Sequence, residues 1–145
     1  MIRFSERAAN YTERFFHGKS ITGESRLTIP RLYGPFQLTE QGIETHLQND
    51  SPGVYALGNT RNNLFLVSYV GRAEDLKERL RSHIPGPYHQ FKFAYALSRV
   101  DAFVKQCGLY HDFVGLDNPR HPCPPAGIDL VCPVCRQGDS IRRER

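Results

Sequence analysis

The stretch 53–83 limits the fold more than any other part of this sequence, because it joins a strand–turn–strand pattern directly to a helix pattern. Two runs rich in β-branched and aromatic residues, 55–57 and 64–70, flank the polar, turn-prone segment 58–63. This arrangement predicts a β-hairpin. Over residues 73–84 the apolar side chains recur three or four positions apart, which predicts an amphipathic helix. A small sheet with a helix packed on it is therefore the expected centre of the fold.

The length of 145 residues fits one domain, and a hydrophobic content of 39% is enough for a core of ordinary size. The sequence has no apolar run of about 18 residues and no signal-like N-terminus, so we expect an intracellular protein, cytoplasmic or nucleoid-associated, without a membrane span. A net charge of +4 favours a polyanionic partner. Four cysteines in such a chain favour thiols or metal ligands over disulfides.

Residues 1–50 carry fewer signals than the rest of the chain. Apolar spacing predicts an amphipathic helix at 3–16, and a short strand is expected at 26–29 within an otherwise irregular, glycine- and proline-rich stretch. A second helix is expected over 38–47, with Thr39 as its N-cap. We expect this region to be a scaffold that packs on the hairpin. The alternative is an extension that contacts DNA or forms a dimer.

The pattern beyond the hairpin and its helix predicts one more strand and one more helix. Aromatic and apolar residues alternate over 91–97, as in a third strand. Ser98 followed by Asp101 resembles a capping box, which predicts a helix over 99–111. The basic tail 136–145 is expected to lack order.

Two tripeptides carry the functional signal of the hairpin, and they lie one on each strand. They are Gly53-Val54-Tyr55 and Tyr69-Val70-Gly71, and Arg79 and His83 follow four positions apart on the next helix. In this combination the chain resembles the GIY-YIG nuclease superfamily. Either tripeptide alone is common, so the resemblance depends on their spacing and on the arginine and histidine downstream. It covers roughly residues 52 to 118.

The resemblance implies an α+β fold with a small three-stranded antiparallel sheet flanked by helices. It also implies a metal-dependent endonuclease that hydrolyses phosphodiester bonds in DNA with Mg²⁺ or Mn²⁺, with RNA not excluded as the partner. On this basis we expect an N-terminal extension at 1–50, a GIY-YIG-like core at 51–122 and a cysteine-containing C-terminal segment at 123–145. Neither the recognised sequence or structure of the nucleic acid nor the oligomeric state can be read from these motifs.

The resemblance also implies roles for single side chains. Tyr55 and Tyr69 would face the site from neighbouring strands, and a tyrosine with an ordinary pKa near ~10 would need activation to act as a base. Arg79 would grip phosphate oxygens, and His83 would position water or protonate the leaving group. The remaining expected members are two phosphate contacts and one residue that holds the site together: Arg72, Lys77 and Asn118.

One position departs from the family's pattern. The family places a metal-binding glutamate on the helix after the third strand, and we align that position with Gln106. A neutral amide with one carbonyl oxygen is a poor ligand for Mg²⁺. Asp101 and Asp112 are nearby acids, but they lie about a turn or more away. The chain is then an engineered inactive variant, a natural pseudo-nuclease, or a nuclease that uses another acid.

These observations lead to three functional hypotheses. The first is an endonuclease site disabled by Gln106. The second is a catalytically inactive GIY-YIG-like module that binds nucleic acid. The third is a zinc-stabilised protein-interaction domain with no nucleic-acid role.

A set of cysteines and histidines has the spacing of a structural zinc site. One pair lies four positions apart on a predicted helix and the other has the C-x₂-C spacing of a zinc knuckle. The expected ligands are Cys107, His111, Cys132 and Cys135. His121 and Cys123 are rival donors from the intervening loop. Zinc bound in this way would tether the C-terminal segment to the helix that carries Gln106.

Overall fold

The structure is a computed structural model that describes residues 30–136. The helix expected at 3–16, the strand expected at 26–29 and nearly all of the basic tail lie outside the described residues. Across 30–136 there is no helix with the length and apolar character needed to cross a membrane.

The described chain contains four strands and three helices. The elements are β1 (Tyr33–Gln37), α1 (Glu40–His46), β2 (Gly53–Arg61), β3 (Leu64–Ala73), α2 (Leu76–Arg81), β4 (Gln90–Tyr95) and α3 (Arg99–Asp112). The strands form one four-stranded antiparallel sheet in the order β1-β4-β2-β3, with the helices around it. The expected α+β class with an antiparallel sheet flanked by helices is confirmed.

The expected number of three strands is wrong, because β1 adds a fourth strand at the edge of the sheet. It lies in a stretch that contains Pro30, Gly34 and Pro35, which the sequence favours as irregular structure. An edge strand tolerates proline, since one side of its backbone needs no partner. Within residues 30–136, β1 pairs with β4 alone, and its register shifts between Tyr33 and Phe36. The N-terminal region therefore contributes to the sheet itself.

The sheet is covered on both faces, and β2 shows why. Tyr55 and Leu57 point to a core cluster with residues of α1 and α2, while Val54 and Ala56 point to a second cluster with residues of α3. All four side chains are at most 1% exposed. Strands buried on both faces lose the polar–apolar alternation, which explains the nearly continuous apolar run of residues 53–57.

A buried lysine connects the two helices on one face. Lys77 is 7% exposed, and its Nζ lies 3.0 Å from Glu44 Oε1 and 2.8 Å from Asn49 Oδ1. Arg81 extends the same contact through Glu44 and the neighbouring Glu40. The ammonium group of Lys77 is thus already engaged between α1 and α2. We therefore assign Lys77 to this helix contact, whereas the sequence resemblance implies a phosphate contact for it.

The capping residues expected from the sequence are confirmed. Thr39 Oγ1 accepts a hydrogen bond from the Gly42 N–H at 3.0 Å at the start of α1. Ser98 Oγ accepts from the Asp101 N–H at 3.0 Å at the start of α3, and Asp101 in turn accepts from the Leu97 N–H at 2.8 Å. These caps fix where α3 begins and hence which of its residues face the sheet.

Candidate active site and metal cluster

Two tyrosines lie side by side on the face of the sheet that packs against α2. The β2–β3 register places Tyr55 opposite Gly71 and Tyr69 opposite Leu57. The Tyr55 and Tyr69 ring centroids are 6.3 Å apart, and the rings are nearly parallel at 25°. Tyr55 is 1% exposed, whereas Tyr69 is half-buried. The structure thus places both motif tyrosines on neighbouring strands of one face.

The glycines of the two tripeptides are packing requirements around Tyr55 and its strand. A Cβ on Gly71 would lie 2.4 Å from the Tyr55 hydroxyl oxygen, far inside van der Waals contact. A Cβ on Gly53 would lie 2.3 Å from the Ala94 carbonyl oxygen and 2.7 Å from Leu76 Cδ1. Both motifs therefore keep glycine where a ring or a neighbouring backbone approaches the strand too closely for any side chain.

His83 completes the aromatic group from the turn after α2. Its Nε2 lies 3.0 Å from the Tyr55 hydroxyl oxygen, and its ring centroid is 5.5 Å from the centroids of both Tyr55 and Tyr69. Burial, with a smaller effect from the Arg79 cation, lowers the pKa of His83. Neutral imidazole is therefore favoured at pH 7, and we assign Nε2 as the acceptor of the hydrogen bond from Tyr55.

The hydroxyl of Tyr55 is the donor in this pair. Burial is the main cause that raises the pKa of Tyr55, Tyr69 adds to the increase, and the positive charge of Arg79 opposes it. The hydroxyl stays protonated at neutral pH and donates to His83. A base that takes a proton from Tyr55 is thus already in hydrogen-bonding contact with it.

A cavity of about 380 Å³ opens beside the tyrosines at the β3 edge of the sheet. Both tyrosines line it, together with residues of α2, α3 and the strand end. The charged and polar members of its lining are Arg72, Arg79, Arg99, Glu74, Gln106 and the thiol of Cys123. Three arginines against one glutamate make the cavity positive, which suits an anionic ligand.

Two of these arginines have no carboxylate partner in the described part of the chain. Between residues 30 and 136, neither Arg72 nor Arg79 forms an ion pair, whereas Arg99 lies 3.8 Å from Glu74. Arg72 is half-buried, and burial is the main cause that lowers its pKa, with Arg79 contributing. A partly buried cation that lacks a counter-ion is costly unless a ligand supplies one.

Gln106 holds Arg72 in the cavity. The Arg72 Nη1 donates to Gln106 Oε1 at 2.6 Å, and the Arg72 guanidinium lies 5.5 Å from the centre of the Phe103 ring. Gln106 is 9% exposed and lines the cavity from α3. Its single carbonyl oxygen already accepts from a cation.

The cavity does not fit Mg²⁺ or Mn²⁺. These ions need carboxylate oxygens, and the one carboxylate in the cavity lining, Glu74, has a side chain that is 77% exposed and lies near Arg99. Asp101, a candidate acid from the sequence, bonds Lys105 and the Leu97 N–H instead. Asp112 is absent from the cavity lining as well.

Asn118 attaches the loop after α3 to the edge strand. Its Oδ1 accepts from the Val70 N–H at 2.9 Å, and its Nδ2 donates to the Val70 carbonyl oxygen at 2.6 Å. Val70 is the middle residue of the second tripeptide, between Tyr69 and Gly71. This position agrees with the expected holding role, although a contribution to catalysis stays a prediction.

A second group of side chains could hold one metal ion at the other end of α3. Its four ligand atoms, from two imidazoles and two thiols, all lie within 4.8 Å of one another, and the residues are His111, His121, Cys132 and Cys135. His121 Nε2 lies 3.0 Å from His111 Nε2 and 3.2 Å from Cys135 Sγ. His121 Nδ1 lies 2.8 Å from the Pro122 carbonyl oxygen, so we assign the proton to Nδ1 and a free lone pair to Nε2.

The expected ligand Cys107 is not part of this group, and its place is taken by the rival donor His121. Cys107 is fully buried in a small core cluster with Phe103 and Cys132. Burial, with Cys132 as a further cause, raises the pKa of its thiol. The other rival, Cys123, lines the cavity instead, and its Sγ lies 3.9 Å from the His121 carbonyl oxygen.

Sequence reasoning did not place three charged or polar residues of the cavity lining in this site: Glu74, Arg99 and Cys123. Glu74 follows β3 directly and Arg99 begins α3, so their approach depends on how the strand end and the helix start meet in space. No local pattern contains that information. The sequence indicates Cys123 only as a rival zinc donor, and no pattern connects it with the cavity.

Comparisons of the chain with protein-family models, with curated proteins and with solved structures found no match. The resemblance to the GIY-YIG superfamily therefore depends on the sequence motifs and stays a prediction.

Replacing Gly71 by alanine should disturb the site through Tyr55. Because the new Cβ would lie 2.4 Å from the Tyr55 hydroxyl oxygen, we expect a loss of about 1–3 kcal/mol in the free energy of unfolding. Urea denaturation measures this loss, and Ser68→Ala on the same strand should change stability by less than about 0.5 kcal/mol. Equal stabilities of the two variants would show that Tyr55 moves aside without cost.

His83 should make the fold sensitive to mild acid. Its pKa is lower in the folded protein than the ordinary value of 6.5, so the native state binds fewer protons than the unfolded state below about that pH. Stability should therefore fall as the pH drops below 6.5, and His83→Gln should flatten this part of the profile. Denaturation at a series of pH values tests this, with the non-titrating change Ser82→Ala expected to keep the parent slope. A His83→Gln profile parallel to the parent's would contradict the assignment.

Proposed function

We propose that the cavity at the β3 edge binds a phosphodiester of nucleic acid and that it is a GIY-YIG-type endonuclease site disabled by Gln106. The observation that carries this proposal is that the cavity is lined by Arg72 and Arg79, which form no ion pair within residues 30–136, and by Tyr55, whose hydroxyl contacts His83 behind it. Phosphate binding needs the first feature and proton transfer to or from water needs the second.

Arg72 and Arg79 are suited to different parts of phosphate binding. Arg72 is fixed by Gln106 and by the Phe103 ring, so its guanidinium is preorganised for a phosphate. Arg79 is exposed on α2, so its side chain can change conformation to contact a phosphate of the bound nucleic acid. With a net charge of +4 on the whole chain, binding should weaken steeply as salt rises.

The Tyr55–His83 pair supports a route for the proton of an attacking water. Tyr55 can take the proton of that water while it passes its own hydroxyl proton to His83 Nε2, which lies 3.0 Å away. Because the pKa of His83 is lowered, the imidazole is available in its neutral, accepting form at pH 7. The pair thereby supplies a base although the pKa of Tyr55 alone is too high for that role.

Gln106 explains why this chain should not hydrolyse its ligand efficiently. A glutamate at the same position would carry a negative charge and a second oxygen, so that one oxygen could keep the Arg72 contact and the other could face the cavity. The amide has one oxygen, and Arg72 already uses it. The metal-dependent part of the expected chemistry is therefore missing from the residues of this cavity.

The Arg72–Gln106 contact also favours a second candidate, a nucleic-acid-binding module without catalysis. In that case the Gln106 amide holds the Arg72 guanidinium in position to bind a phosphate. The module needs no metal ion, because it does not hydrolyse the nucleic acid. DNA and RNA both present the phosphodiester that such a site requires.

Gln106→Glu separates the two candidates in a plasmid-cleavage assay with Mg²⁺ or Mn²⁺. If the site is a disabled nuclease, the variant should nick supercoiled plasmid on the order of 100-fold faster than the parent, because a carboxylate that can bind the metal ion is then present in the cavity. Gln41→Glu, the same charge change on the exposed side of α1, should leave the parent rate unchanged. Binding to the plasmid is measured in parallel at low salt.

The possible outcomes separate cleanly. Cleavage by the parent itself would show that Gln106 does not disable the site. Binding by both forms without cleavage by either would favour the binding module. Failure of the parent to bind nucleic acid at low salt would contradict both candidates.

We also propose that the cluster of His111, His121, Cys132 and Cys135 holds a structural zinc ion. Such an ion would supply a cross-link between the C-terminal end of α3 and the loop that follows. The Val134 N–H donates to Cys132 Sγ at 3.3 Å, a contact that stabilises a thiolate. The ligand set of two nitrogens and two sulfurs is the kind that zinc prefers in closed sites.

Elemental analysis of protein purified without added metal tests this assignment. The parent should contain about one zinc per chain, and His121→Ala should lose most of it because one of four ligands is removed. Cys107→Ser is the matched control and should retain zinc, since Cys107 lies outside the ligand group. Retention by His121→Ala together with loss by Cys107→Ser would instead support the ligand set expected from spacing.

A further inference from the structure

A row of aromatic rings leads from the cavity to the surface. Tyr69, which lines the cavity, lies between the buried Tyr55 and the half-exposed Tyr88. The ring centroids of Tyr69 and Tyr88 are 6.2 Å apart, close to the 6.3 Å between Tyr55 and Tyr69. The site described so far uses Tyr55 and Tyr69 but gives no role to Tyr88.

A hydrogen bond to the loop after α3 fixes the position of Tyr88. Its hydroxyl donates to Asp117 Oδ2 at 2.8 Å, and the Asp117 N–H donates to the Ser68 carbonyl oxygen at 2.6 Å. Burial and the nearby Asp117 raise the pKa of Tyr88 to about 12, so its hydroxyl remains a donor at neutral pH. A ring that is fixed before the ligand arrives loses little entropy on binding.

We propose that Tyr88, supported by Tyr69, is a stacking platform for an unpaired nucleobase whose strand places a phosphate against Arg72 and Arg79. This inference rests on the proposed function of the same cavity. An aromatic ring that is partly exposed next to a positive cavity matches the two surfaces of a nucleotide, the face of the base and the charge of the phosphate.

The platform selects strands by whether a base is unpaired. In a continuous duplex the faces of each base are covered by its neighbours, and a protein ring can reach them only after unstacking. Single strands, loops and junctions present free base faces. The structure therefore favours nucleic acid with unpaired bases as the ligand class, with the same stacking chemistry available in DNA and RNA.

Binding measurements on the full chain at low salt, without divalent metal, test the platform. The probes are one oligonucleotide sequence as single-stranded DNA, as single-stranded RNA and as the matched DNA duplex. The parent should bind at least one single strand more tightly than the duplex. Tyr88→Leu should weaken single-strand binding by about 5- to 100-fold, the loss expected for one base stacked on an aromatic ring, and change duplex binding by less than about twofold.

Two control variants separate the ring from other effects. Tyr88→Phe keeps the ring but removes the bond to Asp117, and it should bind single strands within about twofold of the parent. Tyr33→Leu removes an exposed tyrosine from β1, at the opposite edge of the sheet, and should bind like the parent. Tighter binding of the DNA or of the RNA strand supports the platform in either case and identifies the strand.

Three results would overturn the inference. Equal weakening by Tyr88→Leu and Tyr88→Phe would assign the effect to the hydroxyl. Equal affinity of the parent for the single strands and the duplex would show that the protein does not prefer unpaired bases. If Tyr88→Leu binds single strands as the parent does while Arg72→Gln loses binding, the phosphate site is supported and the stacking platform is not. If the parent binds none of the three probes, the proposed function fails together with the inference.

Discussion

The close approach of the Tyr55 ring to the backbone at Gly71 sets the geometry of the whole site. Because residue 71 has no side chain, the end of the Tyr55 ring fits against the neighbouring strand and its hydroxyl reaches His83. Both Tyr55 and Gly71 also line the cavity. Hydrophobic burial of Tyr55 stabilises this arrangement and also raises the pKa of its hydroxyl, so one packing contact determines both position and protonation state.

A second constraint is electrostatic. Arg72 is partly buried beside Arg79 without a carboxylate partner among residues 30–136, and an amide rather than an acid is its hydrogen-bonding neighbour. A neutral Gln106 preserves the positive charge that an anionic ligand would meet. A carboxylate there would neutralise much of that charge. In the proposed function, residue 106 would therefore set the balance between binding a phosphate and recruiting a metal, and the neutral amide would favour phosphate binding.

Local sequence patterns predicted the elements that depend on local physics. The caps at Thr39 and Ser98, the hairpin and α3 follow from hydrogen bonding and periodicity between near neighbours. β1 could not be predicted, because a strand that contains Pro35 is tolerated through its position at the sheet edge, which no local pattern shows. The replacement of Cys107 by His121 in the metal cluster depends on a loop that folds back over α3, and spacing along a helix cannot describe such a loop.

The hydrogen bonds between Asn118 and Val70 have a consequence for the solution behaviour of the protein. β3 is an edge strand, and the exposed backbone groups of an edge can pair with a strand from another molecule. Asn118 occupies both backbone groups of Val70, and the Asp117 N–H occupies the Ser68 carbonyl oxygen. The loop that holds the site together therefore also blocks the addition of a foreign strand, so self-association through this edge would first have to displace that loop.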